Sequence, residues 1–181
     1  MTASADDAWN ALADGLRDAG RKLAEATAHL DAPERTDGFR ALLRALNNQL
    51  GRLETDTERP EFVPFNGWRE KFFMDNPDYR YWITDIREDR AYRVVGNVGE
   101  SAYQSITVYA GKGVANASAV ARIDSDALEV DDHGDFAVTL PPTPGATSVW
   151  VRYLHDVVDP REPGWCRIEA LDAPGPAPSI E

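Results

Sequence analysis

Few residues in this chain have the types and spacing that chemistry asks for, and the best placed lie in "VWVRYLHD". Strand alternation there puts Val149, Val151, Tyr153 and His155 on one face and Trp150, Arg152, Leu154 and Asp156 on the other. If Tyr153 and His155 point into a barrel mouth, His155 can act as an acid or base near neutral pH and becomes the catalytic candidate. The plainer reading of His155 is a solvated strand end. Around it stands a large share of strand-borne rings, Tyr79, Tyr81, Trp82, Tyr92, Tyr103, Tyr109, Trp150 and Tyr153, with Arg80, Arg93 and Arg152 among them. Rings of this kind usually fill a sandwich core, with their hydroxyls finding partners at the edge. On a concave sheet face they would instead suit a small amphipathic molecule bearing an acid group. The expected ligand contacts are Tyr81, Arg93, Tyr103, Tyr109, Arg152 and Tyr153.

Other clusters read as structure. "DSDALEVDDHGD" is rich in carboxylates, but Leu128 and Val130 stand where an EF-hand loop needs ligands, and two turns flanking a short strand explain the acids. No metal and no cofactor is expected. His29 closes a helix and His133 sits in a turn, neither with a companion at ligand spacing. Cys166, alternating with apolar residues in "WCRIEAL", reads as a small buried hydrophobe. "DNPDYRYW", Asp75 to Trp82, looks like a reaction centre but parses as a corner: Pro77 presets a turn, Asn76 or Asp75 can close an Asx-turn, and Asp78 precedes a strand. There is no G-x-S-x-G elbow, H-E-x-x-H, Walker loop or dinucleotide fingerprint, and "GNVGES" has the wrong spacing to cradle phosphate.

The charge balance narrows the partners. Asp and Glu number 31 against 19 Lys and Arg, a net charge of −12 over 181 residues, with the acids scattered rather than gathered in a tail. Such a surface repels phosphate backbones and anionic lipid headgroups, so neither nucleic acid nor membrane is an expected partner. "MTASADDAW" carries no basic region followed by an apolar one, no apolar run approaches a membrane span, and a cytoplasmic location is expected.

The elements that must position these residues fall into two kinds. Trp9, Leu12, Leu16, Ala19, Leu23, Ala26 and Leu30 recur at helical steps behind a Ser4–Asp7 capping box, predicting a helix over 5–29. After "DAPER", Thr36 is the expected cap of a second helix with Phe39, Leu42, Leu43, Leu46, Leu50 and Leu53 on one side. Together they make a helical hairpin over 1–58, and a homo-oligomer through these helices is a further expectation. Pro60 and Pro64 mark a linker at 59–66. Over 67–171 the period changes to two in short runs, "WREKFF", "YRYWITDI", "AYRVVGNV", "YQSITVYA", a weak "AVARI", "ALEV", "FAVTL", "SVWVRYLHDV" and "WCRIEAL". Eight or nine such strands predict a mainly β fold, an antiparallel β-sandwich or jelly roll. Tyr92, Val94, Gly96 and Val98 should face inward, as should Phe136, Val138 and Leu140. Residues 172–181 read as a Pro-rich tail or a linker cut short.

The run "DNPDYRYWITDIREDRAYRVVGNVGESAYQSITVYAG" resembles the signature of an actinobacterial family of hypothetical proteins, those containing the domain of unknown function numbered twelve-fourteen. "RTDGFRALLRALNNQL" is similar to that family's preceding helix, and "SVWVRYLHDVVDPREPGWCRIEAL" to its later paired strands. Arginine in place of nearly all lysine, with Lys22, Lys71 and Lys112 the exceptions, fits a bacterial genome of high GC content. The resemblance spans roughly 36–171 and implies a helical lead-in and an antiparallel β domain. It brings no reaction and no catalytic residues with it, and Tyr79 stands where the family often has asparagine. The leading functional expectation is therefore a small-molecule ligand bound inside the β domain. An enzyme using Tyr, His155 and Arg, and an assembly module oligomerising through its helices, are the alternatives.

Overall fold

The computed structural model describes residues 4–53, 56–65, 76, 78–111, 116–156 and 160–172. The expected strand "WREKFF", and Asp75 and Pro77 of the corner, lie outside them. The chain divides into two units, Met1–Asn47 and Asn48–Glu181.

The first unit is helical. Helix α1 (Ala5–Ala26) opens on the expected capping box: Asp7 N–H donates to Ser4 Oγ at 3.1 Å, and the Asp7 carboxylate accepts from Ser4 N–H at 3.3 Å. Helix α2 spans Ala32–Leu53 and begins earlier than expected. Its cap is Asp31, whose carboxylate accepts from Glu34 N–H at 2.9 Å, while Thr36 lies inside the helix and donates to the Ala32 carbonyl at 2.9 Å. Pro33 does not break this helix because it sits in the first turn, where no intrahelical N–H donor is required. The helices approach where α2 has Gly38: a Cβ built there would meet Leu23 at 3.5 Å and Thr27 at 3.6 Å, ordinary contact distances. Among the described residues, no helix is long and apolar enough to cross a membrane.

The second unit is a pair of antiparallel sheets. Eight strands are described: β1 (Val63–Pro64), β2 (Tyr79–Asp85), β3 (Tyr92–Asn97), β4 (Tyr103–Ala110), β5 (Ser118–Asp124), β6 (Asp135–Leu140), β7 (Ala146–Leu154) and β8 (Trp165–Ala170). Five form one sheet in the order β1-β2-β7-β4-β5, and three form the other in the order β6-β3-β8. The segment expected as a linker contains β1, which pairs Val63 with Ile83 and Pro64 with Trp82. Proline is tolerated there because β1 is an edge strand, where a missing donor breaks no ladder on the open side. "ALEV" forms no strand: its end, Val130, makes a single bridge to Phe136, and Ala127 and Leu128 belong to a turn closed on the Asp124 carbonyl.

The two sheets bury one core between them. Tyr92 and Val94 of β3, Phe136 and Leu140 of β6 and Ile168 of β8 pack with Ile106 and Val108 of β4 and Val149, Val151 and Tyr153 of β7. A fully buried valine such as Val149 or Val151 contributes about 1.5–3 kcal/mol. The alternation expected for β3 and β6 is observed, with Tyr92, Val94 and Gly96 buried and Arg93 exposed, and with Phe136 and Leu140 buried between exposed neighbours. The Tyr92 hydroxyl, at the sheet corner, accepts from Arg87 N–H at 2.8 Å and ties the β2–β3 connection to the core. Gly96 is required by packing: a Cβ there would stand 2.3 Å from the Trp165 carbonyl oxygen and 2.6 Å from the Phe136 ring.

Candidate functional site

In the five-stranded sheet, register decides which side chains meet. Arg152 of β7 stands opposite Tyr81 of β2 and Ser105 of β4. Ser105 in turn stands opposite Asp124 of β5, and Thr107 opposite Trp150 and Arg122. Since paired residues share a face, Tyr81, Trp150, Arg152, Ser105, Thr107 and Arg122 all lie on the side away from the core. Tyr103 and Tyr109 join them from β4, two positions beyond Ser105 and Thr107 at either end. The result is a trough whose floor is two small hydroxyl residues, whose ends are two tyrosines, and whose flanks are two arginines.

The trough encloses a cavity of about 130 Å³ lined by Tyr79, Ser105, Thr107, Ala119 and these tyrosines and arginines. Arg152 is half-buried and reaches along it, donating to Tyr109 Oη at 3.0 Å and to Thr107 Oγ1 at 3.4 Å. Its guanidinium carbon lies 5.2 Å from the centre of the Trp150 ring, 5.6 Å from Tyr81 and 5.7 Å from Tyr109. Rings at that range stabilise a cation without neutralising it. Among the described residues Arg152 has no carboxylate partner. Phe65 packs against Trp150 with the rings tilted, 4.6 Å between ring centres.

Arg122 reaches the other way, donating to the Tyr103 hydroxyl, and that bond raises the guanidinium pKa. Its carboxylate neighbour Asp124 is 3.8 Å away, longer than a charge-assisted hydrogen bond. The floor is almost wholly shielded, with Ser105 and Thr107 each 2% exposed. Thr107 is bonded to Arg152; the Ser105 hydroxyl has no hydrogen-bond partner among the described residues.

Four of the expected ligand contacts, Tyr81, Tyr103, Tyr109 and Arg152, are brought together here. The other residues are elsewhere. Arg93 lies on β3 in the other sheet, exposed, with Glu169 at 3.9 Å. Tyr153 does not line a mouth: it is fully buried on the core side of β7, and its hydroxyl donates to the Trp165 carbonyl at 2.8 Å. Burial pushes its pKa up, and pushes that of the neighbouring Cys166 thiol up to about 12. His155 continues the same inward face, 5% exposed, its Nε2 3.0 Å from the Pro163 carbonyl oxygen. Burial lowers its pKa, with the Arg80 charge acting in the same direction. The expected joint site of Tyr153, His155 and Arg152 is thus corrected, because the sheet itself stands between the two inward side chains and the outward arginine.

Ser105, Thr107 and Arg122 were not among the expected contacts. A signal existed in "YQSITVYA", where one face reads Tyr, Ser, Thr, Tyr, two small residues between two large ones. At the other acid cluster, Asp131 accepts from the N–H groups of His133 at 2.8 Å and Asp135 at 2.9 Å. These backbone bonds lower its pKa and give the carboxylate a turn-forming job. At the entry to β2, Asp78 N–H donates to Asn76 Oδ1 at 3.0 Å, an Asx-turn.

A solved structure of an uncharacterised protein from Burkholderia cenocepacia shares this fold, with a TM-score of 0.83 and 25% identity over 96% of the chain. The chain spans about half of that protein, 52% of its length. The K3 cleaved adhesin domain of the Porphyromonas gingivalis Lys-gingipain aligns over 53% of this chain and 63% of its own at 16% identity, but its TM-score of 0.28 is too low to bear on the fold. No family model and no curated protein matches the chain, so the family resemblance rests on its motifs alone.

Proposed function

We propose that the β unit binds a small, acid-bearing ligand on the outer face of its five-stranded sheet, with Arg152 taking the acid group. One observation carries this reading: a half-buried guanidinium set among three rings, bonded among the described residues only to neutral hydroxyls, and open to a cavity. A cation in that position is held by the protein but left for an anion to complete. Size sets the class. About 130 Å³ is close to the 150 Å³ that admits one benzene ring and well below the 300–1,000 Å³ of drug-sized sites. Long-chain lipids and nucleotides do not fit, whereas single-ring or short-chain acids do.

The test is a titration of benzoate against benzyl alcohol, followed by amide and arginine side-chain NMR shifts. Benzoate should shift Arg152, Tyr81 and Tyr109 and bind at least about tenfold more tightly than the alcohol, as a charge-assisted bond requires. Arg152→Gln should remove the difference while circular dichroism stays unchanged. Equal binding of the two probes, or an unchanged preference in Arg152→Gln, overturns the reading.

A second reading is favoured by the helices. Trp9 is 69% exposed and Leu43 64% exposed on helices expected to be amphipathic, an apolar presentation suited to self-association. Sedimentation equilibrium distinguishes it: a monomer at 100 μM, on the order of a weak dimer's dissociation constant, removes it.

A further inference from the structure

We infer that the ligand of the outer-face trough is a short dicarboxylate of four or five carbons, held at both ends. This rests on the binding reading given above and adds the second end. Arg152 stands opposite Ser105 yet reaches toward Thr107 and Tyr109, while Arg122 stands opposite Thr107 yet reaches toward Tyr103. The two guanidiniums therefore lean along the floor in opposite directions, Arg152 toward Tyr109 and Arg122 toward Tyr103. Among the described residues the hydrogen-bond acceptors at each end are neutral hydroxyls, and the nearest carboxylate contact, Asp124 to Arg122, is a loose 3.8 Å.

The spacing suits two acid groups rather than one. Ser105 and Thr107, two positions apart on one face, are separated by roughly 7 Å at strand rise. A four- or five-carbon dicarboxylate spans roughly the same length with standard bond lengths. A compact tetrahedral anion such as phosphate can engage only one end. A monocarboxylate likewise leaves one guanidinium without its anion.

The floor supplies the third element. Ser105 is 2% exposed, lines the cavity and has no hydrogen-bond partner among the described residues. A buried hydroxyl left unpaired is costly, and such groups cluster where a ligand completes them. On the floor beside the Tyr103 end, it is placed to bond the inner oxygen of the carboxylate held there.

The experiment compares succinate, glutarate, butyrate and inorganic phosphate on the unmodified chain by isothermal titration calorimetry, then repeats succinate and butyrate on two variants. Succinate or glutarate should bind at least about tenfold more tightly than butyrate, the return expected from one additional charge-assisted contact. Arg122→Gln should bring succinate down to the butyrate level of the unmodified chain and weaken butyrate far less than succinate. Ser105→Ala should weaken succinate severalfold without lowering the thermal midpoint, since no internal bond is lost; a purely structural serine would not give that split. If butyrate binds as well as succinate and both depend on Arg152, the dicarboxylate inference fails while acid binding stands. Tighter binding of phosphate than of succinate overturns the inference as well. Failure of every carboxylate removes both readings, and the ligand series on the unmodified chain decides the matter even where a variant does not fold.

Discussion

Removing one hydroxyl from each of two tyrosines on opposite sides of the five-stranded sheet tests the division between core and site directly. Tyr153 is fully buried, and its hydroxyl donates to the Trp165 carbonyl at 2.8 Å, linking β7 of one sheet to β8 of the other. Tyr153→Phe keeps the ring packing and deletes that bond where water cannot replace it, a loss of about 1–2 kcal/mol. For a unit of this size that lowers the thermal midpoint by roughly 3–10 °C. Tyr109 accepts from Arg152 at 3.0 Å on the half-exposed outer face. In Tyr109→Phe, solvent takes over the freed donor, and stability should change by no more than about 0.5 kcal/mol. The arginine loses one of its two positioning contacts, so carboxylate affinity should fall by about threefold to tenfold, the equivalent of one modest hydrogen bond. Differential scanning calorimetry and benzoate titration on both variants give a two-by-two outcome. A stability loss confined to Tyr153→Phe and a binding loss confined to Tyr109→Phe is expected. A destabilised Tyr109→Phe with intact affinity, or a stable Tyr153→Phe that no longer binds, would refute the assignment of faces.

Three further outcomes follow from the packing. Gly96→Ala drives a Cβ to 2.3 Å from the backbone oxygen of Trp165, which cannot rotate aside as a side-chain ring can; urea unfolding should show a loss of about 3 kcal/mol at unchanged m-value. His155 has its pKa lowered by burial, so the unfolded chain takes up a proton near 6.5 before the folded protein does. Its contribution is therefore a loss of stability as pH falls below about 6.5, absent above it, and the drop in thermal midpoint between pH 7.5 and 5.5 should be smaller in His155→Gln. Cys166, its thiol pushed up to about 12 by burial, should alkylate with iodoacetamide at pH 8 far more slowly in the folded protein than in urea, and equal rates would contradict the packing around Tyr153.

What could be read from the chain in advance divides along a physical line between local and non-local information. Alternation is local, so the inward residues of "AYRVVGNV" and "FAVTL" were legible, as were the Ser4 capping box and the Asn76 turn. The start of α2 was missed because Pro33 reads as a breaker unless it is known to occupy a first turn, which the Asp31–Glu34 pair makes possible. The site depended on information of the other kind. In "VWVRYLHD" both faces carry apolar and polar groups, and nothing within the strand says that Tyr153 and His155 look inward while Trp150 and Arg152 look out. Only the burial of neighbouring β4 and the second sheet decides it. Arg93 stands with Arg152 in the sequence reading because both lie among strand-borne rings, and nothing local says which strands become neighbours. Here β3 leaves β2 and joins β6 and β8, and that placement sends Arg93 to the far side of the molecule's β unit. Ser105 and Thr107 look like filler in a tyrosine-rich strand until the register sets Arg152 and Arg122 against them. A trough assembled from four strands between Tyr79 and Arg152 leaves only one trace in any single segment, the small-for-large exchange between Tyr103 and Tyr109. Where two small hydroxyl residues sit between aromatic ones on one strand face, the physical question is which neighbouring strand supplies the charge, and here the answer came from both sides.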